Sequence, residues 1–416
     1  MKRKSFRETL KALGPGVITG AADDDPSGIA TYSIAGAQFG TSLLWMAVAS
    51  WPLMAGVQAM CARIGMVTGR GLMASLRARF PRKVLIVMSL ALLVTNTINI
   101  GADLSGMADA AELLTSVNSH IYVVLFGVLI AWATVRLRYA TLANVLKYLA
   151  LVLIAYVITA FLVKPHWGQV AHDTFIPHVP DRSAFSMIVA ILGTTISPYL
   201  FFWQAAQEVE EEKVIGRNSI RARQGATSEE MRMRRLDIGA GTFVSNCAMF
   251  FIILTTALTL HAHGMTKIST SREVATALQP LAGRFATLLY AVGLIGTGAL
   301  AIPTLAGSAG YALSELFNWH HGIDESFRRA PKFYIVLVLA VLAGITLDFA
   351  NFSAIQAMYW SAVLNGLLAP FLLVGILIVA SDKALMLNQP SSRLSIATVG
   401  LTTVAMFAAG IAMFVV

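Results

Sequence analysis

The stretch Gly14-Pro-Gly-Val-Ile-Thr-Gly-Ala-Ala-Asp-Asp-Asp-Pro-Ser-Gly28 lies in the first apolar segment of the chain and contains three consecutive aspartates. Pro26 has no backbone N–H to donate and Gly28 is a poor helix former, so a membrane-spanning helix is expected to break here. Broken backbone at membrane depth occurs where it is buried in protein or lines a water-filled cavity. A carboxylate there is costly and marks a functional site. Because an anionic group beside free carbonyl oxygens suits a cation, Asp25 is the first candidate ligand.

The composition is that of a polytopic helical membrane protein. The chain has 416 residues, of which 56% are hydrophobic and only 13% are charged, and its apolar residues form long blocks, which argues against a soluble enzyme. Cys61 and Cys247 lie within apolar segments and are expected to be buried thiols rather than a disulfide. The motifs His-Glu-x-x-His, Gly-x-Ser-x-Gly and a Walker loop do not occur in the sequence, so we expect neither an enzyme nor a bound cofactor.

The apolar blocks predict about 11 transmembrane helices and an all-α fold. The third and eighth blocks are longer than one bilayer crossing requires, so these helices should tilt or extend into water. The predicted segments are 13–37, 42–66, 84–115, 121–135, 142–163, 185–207, 237–261, 284–317, 332–350, 354–380 and 394–415.

The distribution of basic residues predicts the orientation. With the N-terminal segment 1–12 in the cytoplasm, 25 Lys and Arg residues fall on the inner side, and Arg63 lies at a helix end. This asymmetry is typical of the positive-inside rule. It predicts a multi-pass protein of the cell inner membrane with its C-terminus outside. The basic residues on the inner side also account for the net charge of +9. We therefore expect the lipid bilayer as a partner and no nucleic acid. The outer loops hold only five basic residues: Lys164, Arg182, Lys267, Arg272 and Arg284.

Two connecting loops carry many polar residues. The inner loop 208–236 begins with an acidic run and ends with a basic one, and we expect a solvated connector with short helices. The outer loop 164–184 contains three prolines and three histidines, which predicts an irregular surface loop. Its histidines lack the spacing of helical metal ligands, and the pair His261 and His263 is an equally weak metal candidate.

A second helix should also be interrupted. Segment six contains Pro198, preceded by Gly193, Thr194 and Ser197. Each proline taken alone predicts an ordinary kink. Two interrupted helices at matching positions of two halves indicate a binding site at the midplane of an inverted-repeat transporter.

The spacing of the two breaks predicts the domain organisation. The breaks lie in helices one and six, five helices apart, and because five is odd, the second half must insert with the opposite orientation. The first repeat, helices 1–5, is predicted to span 13–163. The second repeat, helices 6–10, should span 185–380, and helix 11 at 394–415 is an addition to the repeat.

At these residues the chain resembles the Nramp family of divalent-metal transporters. The segment Gly14-Pro-Gly16 leading into Asp25-Pro-Ser-Gly28 resembles the family's Gly-Pro-Gly segment and Asp-Pro-Gly-Asn motif. The segment Thr194-Thr-Ile-Ser-Pro-Tyr-Leu200 stands in the place of Ala-x-x-Met-Pro-His-Asn. The resemblance covers nearly the whole chain and implies a LeuT-like 5+5 inverted repeat with discontinuous helices 1 and 6. Further matches are Ala102-Asp103-Leu104, Thr304-Leu-Ala-Gly307 with Tyr311, and the segment from Pro370-Phe371 through Ser381-Asp382.

The metal ligands implied by the resemblance are altered here. In the family, the Asp and Asn of the first motif, the Ala carbonyl and the Met thioether hold the metal. The matching residues are Asp25, Gly28, Thr194 and Ser197, and Tyr199 replaces the His after the proline. Loss of a thioether favours hard cations, and Gly28 leaves room for the waters that Mg²⁺ tends to keep. The pattern resembles the Nramp-related branch associated with magnesium transport, and Mn²⁺ is hard enough to share the site.

The remaining site candidates have open alternatives. On a continuous helix Asp23 and Asp24 would project about 100° apart from each neighbour, so at most one should accompany Asp25; we assign Asp24 as an outer ligand. Asn365 is a candidate for gating or water-mediated coordination, or for an interhelical hydrogen bond. Tyr199 could form a wall of the cavity. The alternatives are a structural salt bridge for Asp25 and satisfaction of the broken backbone for the Thr194 and Ser197 hydroxyls. Asn96, Asn99 and Asp103 are expected to form a polar seam on helix three.

These features together predict a secondary transporter that imports Mg²⁺, and also Mn²⁺, by alternating access. Family members typically import protons with the metal, using the sixth-helix His and acid–base partners on helices three and nine. Tyr199 and Gly106 stand at two of these positions, so we expect uptake without proton coupling. The alternatives are a transporter of the same fold for an amine or amino acid, a proton-coupled Mn²⁺/Fe²⁺ transporter, and a non-transporting sensor.

Overall fold

The chain forms a bundle of helices. The computed structural model describes residue 20 and residues 23–137, 151–350 and 353–415, and no strand occurs in these ranges. The predicted N-terminal segment 1–12, the Gly14-Pro-Gly16 motif and much of the predicted segment 142–163 lie outside them. The helices are α1 (Pro26–Phe39), α2 (Trp45–Thr68), α3 (Leu72–Leu76), α4 (Arg82–Thr115), α5 (Ser119–Arg136), α6 (Ile154–Leu162), α7 (Trp167–Phe175), α8 (Ser183–Thr195), α9 (Pro198–Val214), α10 (Ile220–Arg223), α11 (Ser228–Thr259), α12 (Ser271–Thr276), α13 (Gln279–Ala282), α14 (Ala286–Phe317), α15 (Pro331–Asp348), α16 (Ala354–Ser381) and α17 (Arg393–Val415).

Eight helical stretches in the described ranges are long and apolar enough to cross a membrane. One of them, Ser183–Val214, joins α8 and α9 across a break. The all-helical fold class is therefore confirmed. The two segments predicted to be long are α4 with 34 residues and α14 with 32, and at 1.5 Å per residue each is about 50 Å long, well beyond a 30 Å hydrocarbon core.

Both predicted helix interruptions are present. Asp25 is extended, with φ −72° and ψ 168°, and Pro26 is the first residue of α1. Ser197 is extended in the same way, with φ −75° and ψ 134°, and Pro198 begins α9. Proline is well suited to the first position of a helix, because its missing N–H would have no partner there in any case.

Glycines bring the interrupted helices close to their neighbours. A Cβ atom at Gly193 of α8 would lie 2.0 Å from the carbonyl oxygen of Ala362 in α16, and one at Gly366 would lie 2.2 Å from that of Val189. A Cβ at Gly36 of α1 would lie 2.2 Å from a backbone oxygen of α11. The breaks are thus held where α1 and α8 meet α11 and α16.

The inner loop differs from the solvated connector expected from its sequence. Helix α9 continues to Val214, and the side chains of Glu208 and Glu212 are buried. Arg234 of α11 donates to Glu208 (2.7 Å) and to Asp237 (2.8 Å), and Arg217 donates to Glu212 (2.7 Å). The expectation fails because arginines from later in the loop fold back and compensate the buried carboxylates. The predicted short helix is present as α10.

The outer loop 164–184 is also more regular than predicted. Residues Trp167–Phe175 form α7, whose Val170 and Thr174, one turn apart, are both buried. Thr41 donates a hydrogen bond to Asp173 (2.5 Å), which fixes α7 over the end of α1. The prolines on both sides of α7 bound the helix without entering it.

Candidate functional site

Asp25 caps α1 and is almost fully buried. Its Oδ1 accepts a hydrogen bond from the backbone N–H of Gly28 (2.6 Å), and its Oδ2 accepts one from the Asn99 side chain of α4 (3.0 Å). No lysine, arginine or histidine of the described residues pairs with Asp25, so the alternative of a structural salt bridge has no support in those ranges. The carboxylate is positioned by two neutral donors.

A second buried carboxylate lies beside the first. Asp103 of α4 accepts hydrogen bonds from the Ser27 backbone N–H (3.2 Å) and the Ser27 hydroxyl (2.7 Å). Asn99 Nδ2 lies 3.4 Å from Asp103 Oδ2, so one amide contacts both Asp25 and Asp103. The hydroxyl of Ser361 in α16 is 3.2 Å from that of Ser27. The predicted polar seam of Asn99 and Asp103 thus faces the break in the first helix.

Asp23 and Asp24 converge on a single serine. The Ser245 hydroxyl of α11 lies 2.7 Å from Asp23 Oδ2 and 3.1 Å from Asp24 Oδ1. The expectation that only one of them could accompany Asp25 assumed a continuous helix. The backbone bends at Asp24 and is extended at Asp25, so the 100° spacing does not apply. One hydroxyl proton serves two buried carboxylates.

The second break uses its hydroxyl groups locally. Ser197 Oγ lies 2.6 Å from the carbonyl oxygens of both Gly193 and Thr194. Thr194 Oγ1 lies 2.9 Å from the Ile191 carbonyl oxygen and 3.0 Å from the hydroxyl of Tyr32. In this conformation both hydroxyl groups satisfy the interrupted backbone, the alternative left open by the sequence, and the Thr194–Tyr32 contact joins the two broken helices.

The three other candidates lie around the same region. A Cβ at Gly28 would lie 3.3 Å from Asp25 Oδ1 and 3.5 Å from Tyr32 Cε2, so the glycine faces the Asp25 carboxylate. Asn365 is buried one helical turn after Ser361, on the same face of α16. Tyr199 is fully buried and within electrostatic reach of Asp25.

The unused hydrogen-bonding capacity of this region consists of oxygen acceptors. Asp23 Oδ1, Asn99 Oδ1 and Asn365 Oδ1 are buried, and no donor from the described residues reaches them. An ionised carboxylate can only accept, and an amide oxygen is likewise an acceptor. A buried acceptor without a donor is costly, and a cation relieves that cost. Carboxylate, amide and hydroxyl oxygens suit hard divalent ions.

Sequence reasoning did not identify Ser245, Ser27, Ser361 and Tyr32 as parts of this region. Each is a polar or amphipathic residue within an apolar helix, which is a signal in itself. That signal is weak because many serines and threonines in these helices, such as Ser308, bond only to a carbonyl of their own helix.

The weaker metal candidates do not come together. His261 bonds to the Ala37 carbonyl oxygen and His263 to that of Thr259. Within the described ranges no group of three or more His, Cys, Asp or Glu side chains has the arrangement of a metal site. Cys61 and Cys247 are free thiols, and Cys61 is buried as predicted, whereas Cys247 is only half-buried.

Comparisons with known proteins agree with this fold. The profile of the family described as "Nramp: Natural resistance-associated macrophage protein-like" matches residues 16–416. A relative from Caldanaerobacter subterraneus, named "Divalent metal cation transporter MntH", is 25% identical over 401 residues, which cover 92% of this chain and 87% of the relative.

Solved structures share the same architecture. The crystal structure of a manganese transporter from Eremococcus coleocola superimposes with a TM-score of 0.78 at 20% identity, covering 99% of this chain and 87% of that one. Mhp1, a transporter of the nucleobase-cation-symport-1 family, gives a TM-score of 0.61 at 16% identity, covering 97% and 89%. These likenesses, with the two interrupted helices, identify a LeuT-like fold. The profile match over nearly the whole length shows that this chain belongs to the Nramp family.

Proposed function

We propose that this protein is a secondary transporter that carries a hard divalent cation, Mg²⁺ and also Mn²⁺, into the cell by alternating access. The observation that carries the proposal is Asp25, an almost fully buried carboxylate at the break of a membrane helix, held by neutral donors only. The names of the relatives, a divalent metal cation transporter and a manganese transporter, support a divalent cation as cargo.

The preference for a hard ion follows from the ligand types. The break residues 23–28 and 193–198 contain no Met or Cys, and Ser197 stands where the family motif has Met. The oxygens available near the break are the Asp25 carboxylate and the unpaired amide oxygens Asn99 Oδ1 and Asn365 Oδ1. Mg²⁺ usually keeps several waters. Because a Cβ at Gly28 would already lie 3.3 Å from Asp25 Oδ1, a partly hydrated ion enters beside this glycine only when the surrounding helices move apart.

Alternating access follows from the burial of the region. Asp25, Thr194, Ser197 and Asn365 are each at most 4% exposed, so a cation reaches them only after helices move apart. The proposed orientation places the N-terminus in the cytoplasm and the C-terminus outside, because the basic residues follow the positive-inside rule. The proposed direction is inward, because an inside-negative membrane potential attracts a divalent cation into the cell.

The proposal is tested with Asp25→Asn, which keeps the size of the side chain and removes its charge. Mg²⁺ and Mn²⁺ binding, measured by titration calorimetry, should weaken roughly 10- to 100-fold, since a contact to a charged group contributes about 1.5–3 kcal/mol. The matched control is Glu229→Gln, an acid-to-amide change at an exposed residue of α11, which should bind as wild type does. Unchanged binding by a folded Asp25→Asn protein would remove Asp25 from the site.

A further inference from the structure

A small basic cavity lies away from the helix breaks. It has a volume of about 200 Å³ and opens between the end of α2, the first turns of α11 and the start of α17. Arg63, Arg234 and Arg235 line it together with Ser392 and Ser395, and none of the described residues that line it is acidic.

Two of the three arginines keep their positive charge uncompensated. Arg63 donates from Nε and Nη2 to the carbonyl oxygen of Gln389, both at 3.1 Å, and Arg235 donates from Nε to that of Met231 at 3.3 Å. Neither forms an ion pair with a carboxylate of the described residues, and the two guanidinium groups repel each other. Arg234, in contrast, is neutralised by Glu208 and its neighbours.

The start of α17 adds further positive potential. The helix has 23 residues and begins at Arg393, and Ser392 Oγ accepts a hydrogen bond from the Ser395 backbone N–H (3.2 Å). The unpaired N–H groups of a first helical turn and the helix dipole attract anions. The Arg63 guanidinium has five N–H donors. It uses two of them on Gln389 and one on Met231 Sδ (3.7 Å), so two remain to bind an anion in the cavity.

The surroundings of the cavity indicate a lipid. Leu236 of α11 is 60% exposed, and Leu394 and Leu401 of α17 are 78% and 62% exposed, as expected of side chains that face acyl chains. The cavity is smaller than the 300–1,000 Å³ of typical small-molecule pockets. Basic pockets between membrane helices suit phospholipid headgroups. We propose that this cavity binds the phosphate group of an anionic phospholipid, whose acyl chains lie along the apolar flank of α11 and α17.

The test is native mass spectrometry of the purified full-length protein titrated with phosphatidylglycerol or phosphatidylcholine. Wild type should retain phosphatidylglycerol in preference to phosphatidylcholine. Arg235→Gln should weaken this binding about fivefold, the equivalent of about 1 kcal/mol per basic residue near an anionic surface. Arg63→Gln with Arg235→Gln should weaken it further. Arg232→Gln, at an exposed position of the same helix outside the cavity, is the matched control and should bind as wild type does.

Two results would overturn the proposal. The first is equal retention of phosphatidylglycerol by wild type and Arg235→Gln; because Arg235 is exposed, this variant should fold even if a change at Arg63 does not. The second is displacement of the lipid by inorganic phosphate at millimolar concentration, if that displacement requires Arg63 and Arg235. This result would assign the cavity to free phosphate instead.

Discussion

At the scale of single residues, the unusual feature is four buried carboxylates that meet neutral donors only. Asp23, Asp24, Asp25 and Asp103 are each at most 4% exposed. Their hydrogen-bond partners among the described residues are serine, asparagine and backbone groups. Burial of an unpaired charge is strongly unfavourable. A divalent cargo ion beside Asp25 would offset part of this cost, which links stability to cation binding.

The selectivity of the site should depend on the two positions that depart from the family motifs. Ser197→Met combined with Gly28→Asn restores a thioether and an amide. Uptake of Cd²⁺ relative to Mg²⁺ into liposomes should rise about tenfold, which corresponds to about 1.4 kcal/mol, because a soft ligand favours a soft ion.

The matched control is Gly28→Asn alone, which adds an oxygen ligand without sulfur. A Cβ at Gly28 would lie 3.3 Å from Asp25 Oδ1, so its neighbours must shift by a few tenths of an ångström to admit the side chain. An unchanged Cd²⁺ to Mg²⁺ ratio in the double variant would show that the missing thioether does not set the selectivity.

At the scale of elements, the packing of α8 against α16 sets the geometry of the second break. Gly193→Ala would place a Cβ 2.0 Å from the Ala362 carbonyl oxygen and 2.4 Å from the Gly366 nitrogen. Because both contacts are to backbone, the helices must separate. Thermal unfolding in detergent should show a loss of about 1–3 kcal/mol, as in other overpacked sites.

The control for this prediction is Gly239→Ala in α11, where a Cβ would meet no atom within 4 Å. Alanine is the better helix former, so this variant should be as stable as wild type or slightly more stable. If the two variants had equal melting temperatures, the close approach of α8 and α16 would not be a constraint on the fold.

At the scale of the whole molecule, the question is what drives cation uptake. The driving force depends on the charge of the transported ion and on whether protons move with it. When a divalent cation moves inward across an inside-negative potential of 100 mV, its free energy falls by about 4.6 kcal/mol. Tyr199 stands where the family resemblance implies a titratable His, and α15 contains no arginine that could act as the acid–base partner implied on helix nine. Mn²⁺ uptake into liposomes should therefore increase with an inside-negative potential and leave the internal pH unchanged.

The measurement is an internal pH dye recorded during uptake, with a protonophore-treated sample as the control for leakage. Acidification that scales with Mn²⁺ uptake would establish proton coupling. The first variants to examine would then be those of Asp103 and Asp109, and of the pair His120 and Asp348, whose side chains are 2.5 Å apart.

The sequence by itself determined the helical class and the positions of both breaks. These are local properties: proline lacks an N–H, and long apolar blocks match the thickness of a bilayer. Asp25 could be singled out for the same reason, since it directly precedes Pro26.

Only the tertiary structure decided which side chains meet. Ser245 reaches Asp23 across 222 residues of sequence, and Asp103 reaches Ser27 across 76. The inner loop shows the same limit. Its acidic run predicts a solvated segment, whereas in the structure Arg234 folds back and donates a hydrogen bond to the buried Glu208. Hydropathy records how apolar a segment is, whereas the partner of a buried polar group depends on the rotation and crossing of helices, which are set by contacts such as Gly193 with Ala362.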